Sequence, residues 1–333
     1  MKIAIVAITR GGFDLAGKLE TELPGAILLQ KKGITKTFAE NWQNFDAFIC
    51  IMATGIVVRS IAALLTDKRT DPCVVVVDEQ GRHAISLLSG HLGGGNDLSI
   101  QVAEALGGEP VITTASDTLG LVALDVWAAA QHLTAPPNDM TRACGILVNK
   151  GELKVYTDLN VHSLPSGLIQ CEKPEQADIL ISNRSCFAGR LVFYPQNLVV
   201  GTGCNRNTPA HEFTEALVEL FSDLGLSSAA IQNLASIDKK NDEEGLLEFA
   251  KQNQYTIDFF PKDEINCVTG VEISAAPLKA LGAIGVAEPC AILSAGKNNK
   301  QNPTLISRKR KWQNITMAVA EVPFTLSAQE PVR

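Results

Sequence analysis

Apolar residues along the chain alternate between short continuous runs and longer stretches of helical period. Residues 2–9 (KIAIVAIT) read as a parallel strand buried on both faces. RGGFDLAGKLETEL follows with apolar positions at Phe13, Leu15, Ala16, Leu19 and Leu23, a helical spacing. The unit recurs through AILLQ, a helix near FAENW, AFICIMA, a helix over TGIVVRSIAALLT, then the strands CVVVVD and HAISLLS. Only EQGR separates the last two runs, too short for a crossover, so they are predicted to form an antiparallel hairpin in an otherwise mostly parallel sheet. LSIQVAEAL is helical and should stop at Gly107-Gly108, and VITT reads as a strand. A longer helix is predicted across LVALDVWAAAQHL, ending before Pro136-Pro137-Asn138-Asp139, the best linker signal in the chain.

From about 140 to 196 the elements shorten to ELKVYTD, ADILISN and LVFYP, a small module of strands with little helix. LVVGTGC then starts a second α/β pattern, with Thr208 as N-cap, Pro209 at the first helical position and a helix to about Leu224. ASID, a helix over DEEGLLEFAKQ, YTIDFFP and a C-terminal hairpin around Lys311–Asn314 complete it. The fold class expected is therefore α/β: two three-layer α/β/α domains with mostly parallel or mixed sheets, at 1–137 and 197–333, joined by a small middle domain at 138–196.

Composition narrows the function classes. The 333 residues are 46% hydrophobic and 20% charged, ordinary for a globular protein. A formal charge of −7 argues against nucleic acid or an anionic membrane as the main partner. No uncharged apolar stretch approaches the ~20 residues that span a bilayer. The eight cysteines form no CxxC pair and several lie in apolar runs, so they read as reduced, buried thiols, and the expected location is cytoplasmic.

The stretch SGHLGGGNDL (89–98) carries the most chemistry. Its Gly90-to-Gly95 spacing suggests a phosphate loop, but Asn96-Asp97 stands where the lysine and hydroxyl residue belong, and a nucleotide site is disfavoured. Bare backbone at Gly93, Gly94 and Gly95 beside a helix N-terminus suits a carboxylate or a developing oxyanion. His91 is a candidate general base, and Asp97 a candidate to orient it; a helix cap and an ordinary loop histidine are the plain alternatives. Arg59, placed by TGIVVR in the first turn of its helix at the carboxyl end of a strand, could clamp a carboxylate or simply be solvated. TTASDT (113–118) places Asp117 after the next strand, where capping alone is the common role. In the C-terminal half, Arg206 in GTGCNRNT and Lys239 in ASIDKKNDEEGL recur in turns after strands. HEFTE lacks the second histidine of a zinc motif, and no GxSxG elbow exists.

Taken in order, GIVVR, SGHLGGGNDL, VITTASDT, GTGCNRNT, ASIDKKNDEEGL and GVAEPCAILSA resemble the CbiG family of anaerobic cobalamin biosynthesis, the cobalt-precorrin-5A hydrolases. The resemblance spans nearly the whole chain, weakest in the middle. It implies a cobalt-tetrapyrrole substrate whose ring A lactone is opened by water, with release of acetaldehyde and formation of cobalt-precorrin-5B. It also implies no cofactor beyond the cobalt carried by the substrate and no protein metal site. The resemblance marks these motifs without assigning roles; from the chemistry of lactone opening, His91, Asp97 and Asp117 are the expected catalytic residues, and Arg59, Gly93, Gly94, Gly95, Asn96, Arg206 and Lys239 the expected substrate contacts. Homodimerisation and transient contact with neighbouring pathway enzymes are compatible with the family. The same turns and basic residues would also serve a carrier that binds a corrinoid intermediate without transforming it.

Overall fold

The computed structural model describes residues 1–29, 33–67, 70–187, 189–297 and 302–328, which fall into two compact units, Met1–Val126 and Trp127–Arg333. The first unit runs β1 (Ile3–Ala7), α1 (Arg10–Glu22), β2 (Ala26–Leu28), α2 (Ile34–Asn41), β3 (Ala47–Ile51), α3 (Thr54–Ile61), β4 (Cys73–Val77), β5 (His83–Leu88), α4 (Gly95–Leu106), β6 (Glu109–Val111), α5 (Ala115–Thr118) and α6 (Leu124–Ala130), the last crossing the boundary. Gln30, expected at the end of the second strand, lies outside the described residues.

The six strands order as β2-β1-β3-β4-β5-β6. Every neighbouring pair is parallel except β4 and β5, the predicted hairpin, which is antiparallel with Val77 opposite Ala84. The turn is closed by Asp78, whose carboxylate accepts the backbone N–H groups of Gln80 (2.8 Å) and His83 (2.7 Å). β1, β3 and β4 are buried at every position, which explains their unbroken apolar runs. One face packs on Ala16 and Leu19 of α1 and Leu98 and Val102 of α4; the other packs on Phe38 and Trp42 of and beside α2 and on Val57 and Ile61 of α3. Trp42 stacks on Phe48 with ring centroids 5.4 Å apart.

The second unit holds two five-stranded sheets and one two-stranded sheet among the described residues. β7 (Leu133–Thr134), α7 (Pro137–Lys150), β8 (Leu153–Thr157), β9 (Asn160–Val161), β10 (Leu168–Gln170), β11 (Ile179–Ile181) and β12 (Val192–Pro195) build a sheet of order β10-β8-β11-β12-β7, with β9 outside it. Here the helix content exceeds the sequence expectation. Pro136-Pro137, read as a linker, opens the 14-residue α7: Pro137 sits at the first helical turn, where its fixed φ and missing N–H are no handicap. The helix expected across residues 121–133 is correspondingly short, reduced to α6.

β13 (Leu198–Cys204), α8 (Ala210–Leu224), β14 (Ile231–Ile237), α9 (Glu244–Gln252), β15 (Ile257–Phe260), α10 (Lys262–Asn266), α11 (Ala275–Leu281), α12 (Ala287–Gly296), β16 (Thr304–Lys311), β17 (Ile315–Glu321) and β18 (Thr325–Leu326) follow. Their main sheet orders as β15-β14-β13-β17-β16, parallel up to β13 and antiparallel beyond it, and β18 pairs with β9. Phe213, Leu217, Leu246 and Phe249 of α8 and α9 cover one face; Cys290, Ala291 and Ala295 of α12 cover the other.

α12 lies close enough to β13 that a Cβ at Gly201 would overlap the carbonyl oxygen of Ala287. We expect Gly201→Ala to lower the urea midpoint by about 1–3 kcal/mol of stability, the usual cost of overpacking a core. Gly145→Ala, on an exposed turn of α7 with nothing near, should instead raise stability by about 0.5–1 kcal/mol. Equal midpoints for the two variants would contradict this packing.

Candidate functional site

β5 and β6 run parallel, so both deliver their following loops to one edge of the six-stranded sheet. The loop after β5 is SGHLGGGNDL, and the turn after β6 is TTASDT. They meet through side chains. His91 Nε2 lies 2.9 Å from Asp117 Oδ2 and 3.3 Å from Ser116 Oγ, while His91 Nδ1 lies 3.3 Å from Oδ1 of Asp125 in the first turn of α6. The buried Asn96 locks the arrangement: its amide oxygen accepts from Ser86 (2.7 Å), so its NH2 donates to Asp117 Oδ2 (3.0 Å) and Thr114 Oγ1 (3.1 Å).

An imidazole with a carboxylate at each nitrogen satisfies both only as the cation, donating from both sides. Accordingly the His91 pKa is raised, chiefly by its bond to Asp125 and next in the same sense by Asp117, against the opposing effect of partial burial. Asp117 is the more open carboxylate, 38% exposed against 12% for Asp125. Asp97 stands half-buried in the first turn of α4.

The glycines have a structural use that motif reading did not foresee. Gly94 is the left-handed N-cap of α4 (φ +79°). A Cβ at Gly93 would meet Ser89, one at Gly95 the Leu88 carbonyl, and one at Gly90 the Asn96 amide. The N–H groups of Gly94, Gly95 and Asn96 donate to the carbonyls of His91 (2.9 Å), Ser89 (3.1 Å) and Gly90 (2.9 Å). Among the three central glycines, the N–H of Gly93 alone has no acceptor among the described residues. The loop is thus packed tightly on its own strand end.

Arg59 is not in the first helical turn, as expected from TGIVVR, but in the last turn of α3, exposed, with its guanidinium lying back over Gly55. The helix begins at Thr54, which sets the register. α3 leaves the carboxyl end of β3, whereas Gly93 and Gly95 sit against Cys73 at the start of β4. Because β5 reverses direction, the histidine loop and the beginning of α3 occupy opposite edges of the sheet, a strand length of roughly 15 Å apart.

Arg206 and Lys239 belong to the second unit. Arg206 is committed to Asp242 (2.5 Å) and to the Lys239 carbonyl (2.9 Å), and Lys239 is exposed. Its neighbour Lys240 is the buried one, paired with buried Glu243 at 3.0 Å. Asp125 is the residue that sequence reading missed: it lies inside an apolar helical run with no motif around it. Among the described residues, no group of three His, Cys, Asp or Glu side chains is arranged to hold a metal ion. Among them, too, no helix is long and apolar enough to cross a membrane.

Comparison with known proteins finds similarity at both ends of the chain. The family models Cobalamin synthesis G N-terminal and Cobalamin synthesis G C-terminus match residues 36–117 and 198–320. The chain is similar to a cobalt-precorrin-5A hydrolase of Priestia megaterium, 30% identical over 96% of this chain and 95% of that protein. It is also similar to a cobalt-precorrin-5A hydrolase of Salmonella typhimurium, 34% identical over 74% of this chain and 78% of the relative. A solved cobalamin biosynthesis protein G homolog from Sulfolobus solfataricus aligns over 96% of this chain and 97% of its own, at 22% identity and a TM-score of 0.37.

The charged clamp has a pH signature. A histidine whose folded pKa is raised contributes stability that is complete below its unfolded pKa of about 6.5 and is lost as pH rises through the folded value. We expect Asp125→Asn to cost about 1.5–3 kcal/mol at pH 5.5, as for a hydrogen bond to a charged group, and clearly less at pH 9, read from urea midpoints. A difference that does not change with pH would show that His91 is not held as a cation.

Proposed function

The chain belongs to the CbiG family, and from that membership we propose that it is a cobalt-precorrin-5A hydrolase, which opens the ring A lactone with water and releases acetaldehyde to give cobalt-precorrin-5B. The single observation that supports a catalytic site in the first unit is the His91 ring held between Asp117 and Asp125 at the edge where the glycine loop emerges. The cobalt belongs to the substrate.

The arrangement suggests a division of labour different from a histidine base. Asp117, the exposed carboxylate, accepts a proton from water as its oxygen adds to the lactone carbonyl. The carbonyl oxygen then carries negative charge, and the unpartnered N–H of Gly93 is the loop donor available to it. As the carbon–oxygen bond breaks, the departing ring oxygen takes a proton from the His91 imidazolium, whose remaining N–H stays on Asp125. Acetaldehyde leaves when the resulting alcohol gives up its proton, its oxygen forms the new C=O, and the electron pair of the broken carbon–carbon bond passes into the conjugated macrocycle, which is protonated in turn. Asp125 is the positioning residue, since it acts through the ring it holds. Asp97 is placed to support the first turn of α4.

Acetaldehyde release from cobalt-precorrin-5A, followed by coupled alcohol dehydrogenase, tests this reading. We expect His91→Ala and Asp117→Asn each to lose about 100-fold or more in turnover, the scale of a removed acid or base. Arg59→Ala, at the far edge of the sheet, should stay within about tenfold of wild type, because a single exposed contact is worth about one factor of ten at most. Tight substrate binding with no acetaldehyde from the wild-type protein would make it a carrier and overturn the assignment.

A further inference from the structure

The second unit contains two adjoining cavities, of about 290 and 420 Å³, that share Ala276, Pro277, Val286, Lys311 and Thr316. Both are lined by residues of α11, and the smaller one opens at the carboxyl ends of β13 and β14, where Cys204 and Lys240 lie. β13 has a parallel neighbour on one side and an antiparallel one on the other, the kind of place where α/β sheets bind ligands.

The walls combine two chemistries. Ala276, Pro277, Ala280, Leu281 and Val286 form an apolar side. Opposite them, Trp312 is oriented by donation from Nε1 to Glu219 (2.9 Å), and its hairpin neighbour Lys311 is exposed. Lys240 is already neutralised by Glu243, and Lys309 donates to Ser274. Lys309 keeps its charge, and Glu272 and Glu288 also line the larger cavity, but Lys311, common to both cavities, has no side-chain partner among the described residues. Cys204 contributes no anion, since burial pushes its thiol up to about 11. Gly203 packs on Val286 and Thr316 and offers no bare backbone in the smaller cavity.

We propose that this cleft is a corrinoid-binding site, in which the apolar wall of α11 takes an edge of the macrocycle and Lys311 takes one of its peripheral carboxylates. The ligand class rests on the cobalt-precorrin reading above; the site rests on the cleft itself. An apolar wall facing an exposed, unpaired lysine suits a flat hydrophobic body fringed with carboxylates, and the ion pair orients that body. This assigns carboxylate recognition in the second unit to Lys311, in place of Arg206 and Lys239.

The test measures binding of dicyanocobyrinic acid, which has free peripheral carboxylates, and of its heptamethyl ester to the full-length protein, by equilibrium dialysis with corrin absorbance. We expect Lys311→Glu to weaken cobyrinic acid binding by about tenfold or more and leave ester binding unchanged, with Lys311→Gln intermediate. Lys251→Glu, the same charge change on exposed α9 surface, should bind like wild type. Wild-type affinity in Lys311→Glu, an equal loss in Lys251→Glu, or no binding by the wild-type protein would each overturn the site. Acetaldehyde release by the same preparations separates the two ideas. Turnover without a Lys311 effect removes the cleft and leaves the hydrolase, whereas a Lys311 effect without turnover removes the hydrolase and leaves the cleft.

Discussion

The direction of one strand governs the chemistry of the first unit. β5 turns back against β4 through the Asp78-closed hairpin and then runs parallel to β6. In a uniformly parallel sheet, the loop after β5 would have emerged on the same edge as the start of α3. The reversal moves it to the opposite edge, where the parallel pairing of β5 with β6 also delivers the loop after β6, so a histidine and an aspartate 26 residues apart in sequence come within 2.9 Å. The glycines serve that same placement. They let the loop fold tightly onto Leu88, Ser89 and Cys73, so that the His91 ring is presented from a rigid support rather than from a slack segment.

Charge then sets the protonation state. Three groups, one imidazole and two carboxylates, occupy a partly buried space with the neutral amide of Asn96 as the fixed element. Removing either carboxylate alters the histidine, and removing the histidine leaves two like charges facing one another. A site of this kind holds a proton on the ring more firmly than a free imidazole does and keeps a carboxylate beside it. The second unit lacks such a trio among the clusters described. Near its sheet edge Arg206 pairs with Asp242 and Lys240 with Glu243, while Lys311 has no ion-pair partner among the described residues.

Much of this was legible in the residues. Buried parallel strands announce themselves as KIAIVAIT, AFICIMA and CVVVV, and the four-residue EQGR separation was enough to identify the reversal on which the site depends. His91, Asn96 and Asp117 were marked by their neighbours in sequence. What stayed hidden has definite causes. Proline both ends and begins helices, so Pro136-Pro137 looked like a break although it opens α7. Arg59 depended on a helix start that shifts its turn. Asp125 lies among Val122, Ala123, Leu124 and Val126 with no polar companion, and only the fold brings it to Nδ1. Glycine spacing cannot reveal whether bare backbone faces a ligand or its own strand, and here most of it faces the strand.

The state of the His91 ring is the point on which the account turns, and nitrogen NMR reads it directly. With 15N-labelled histidine in the ligand-free protein, and the His91 signal identified among the five histidines by its loss in His91→Gln, the account predicts that both ring nitrogens carry protons at pH 7 and titrate above the ordinary value of about 6.5. A single neutral tautomer at pH 7, titrating at or below that value, would contradict it.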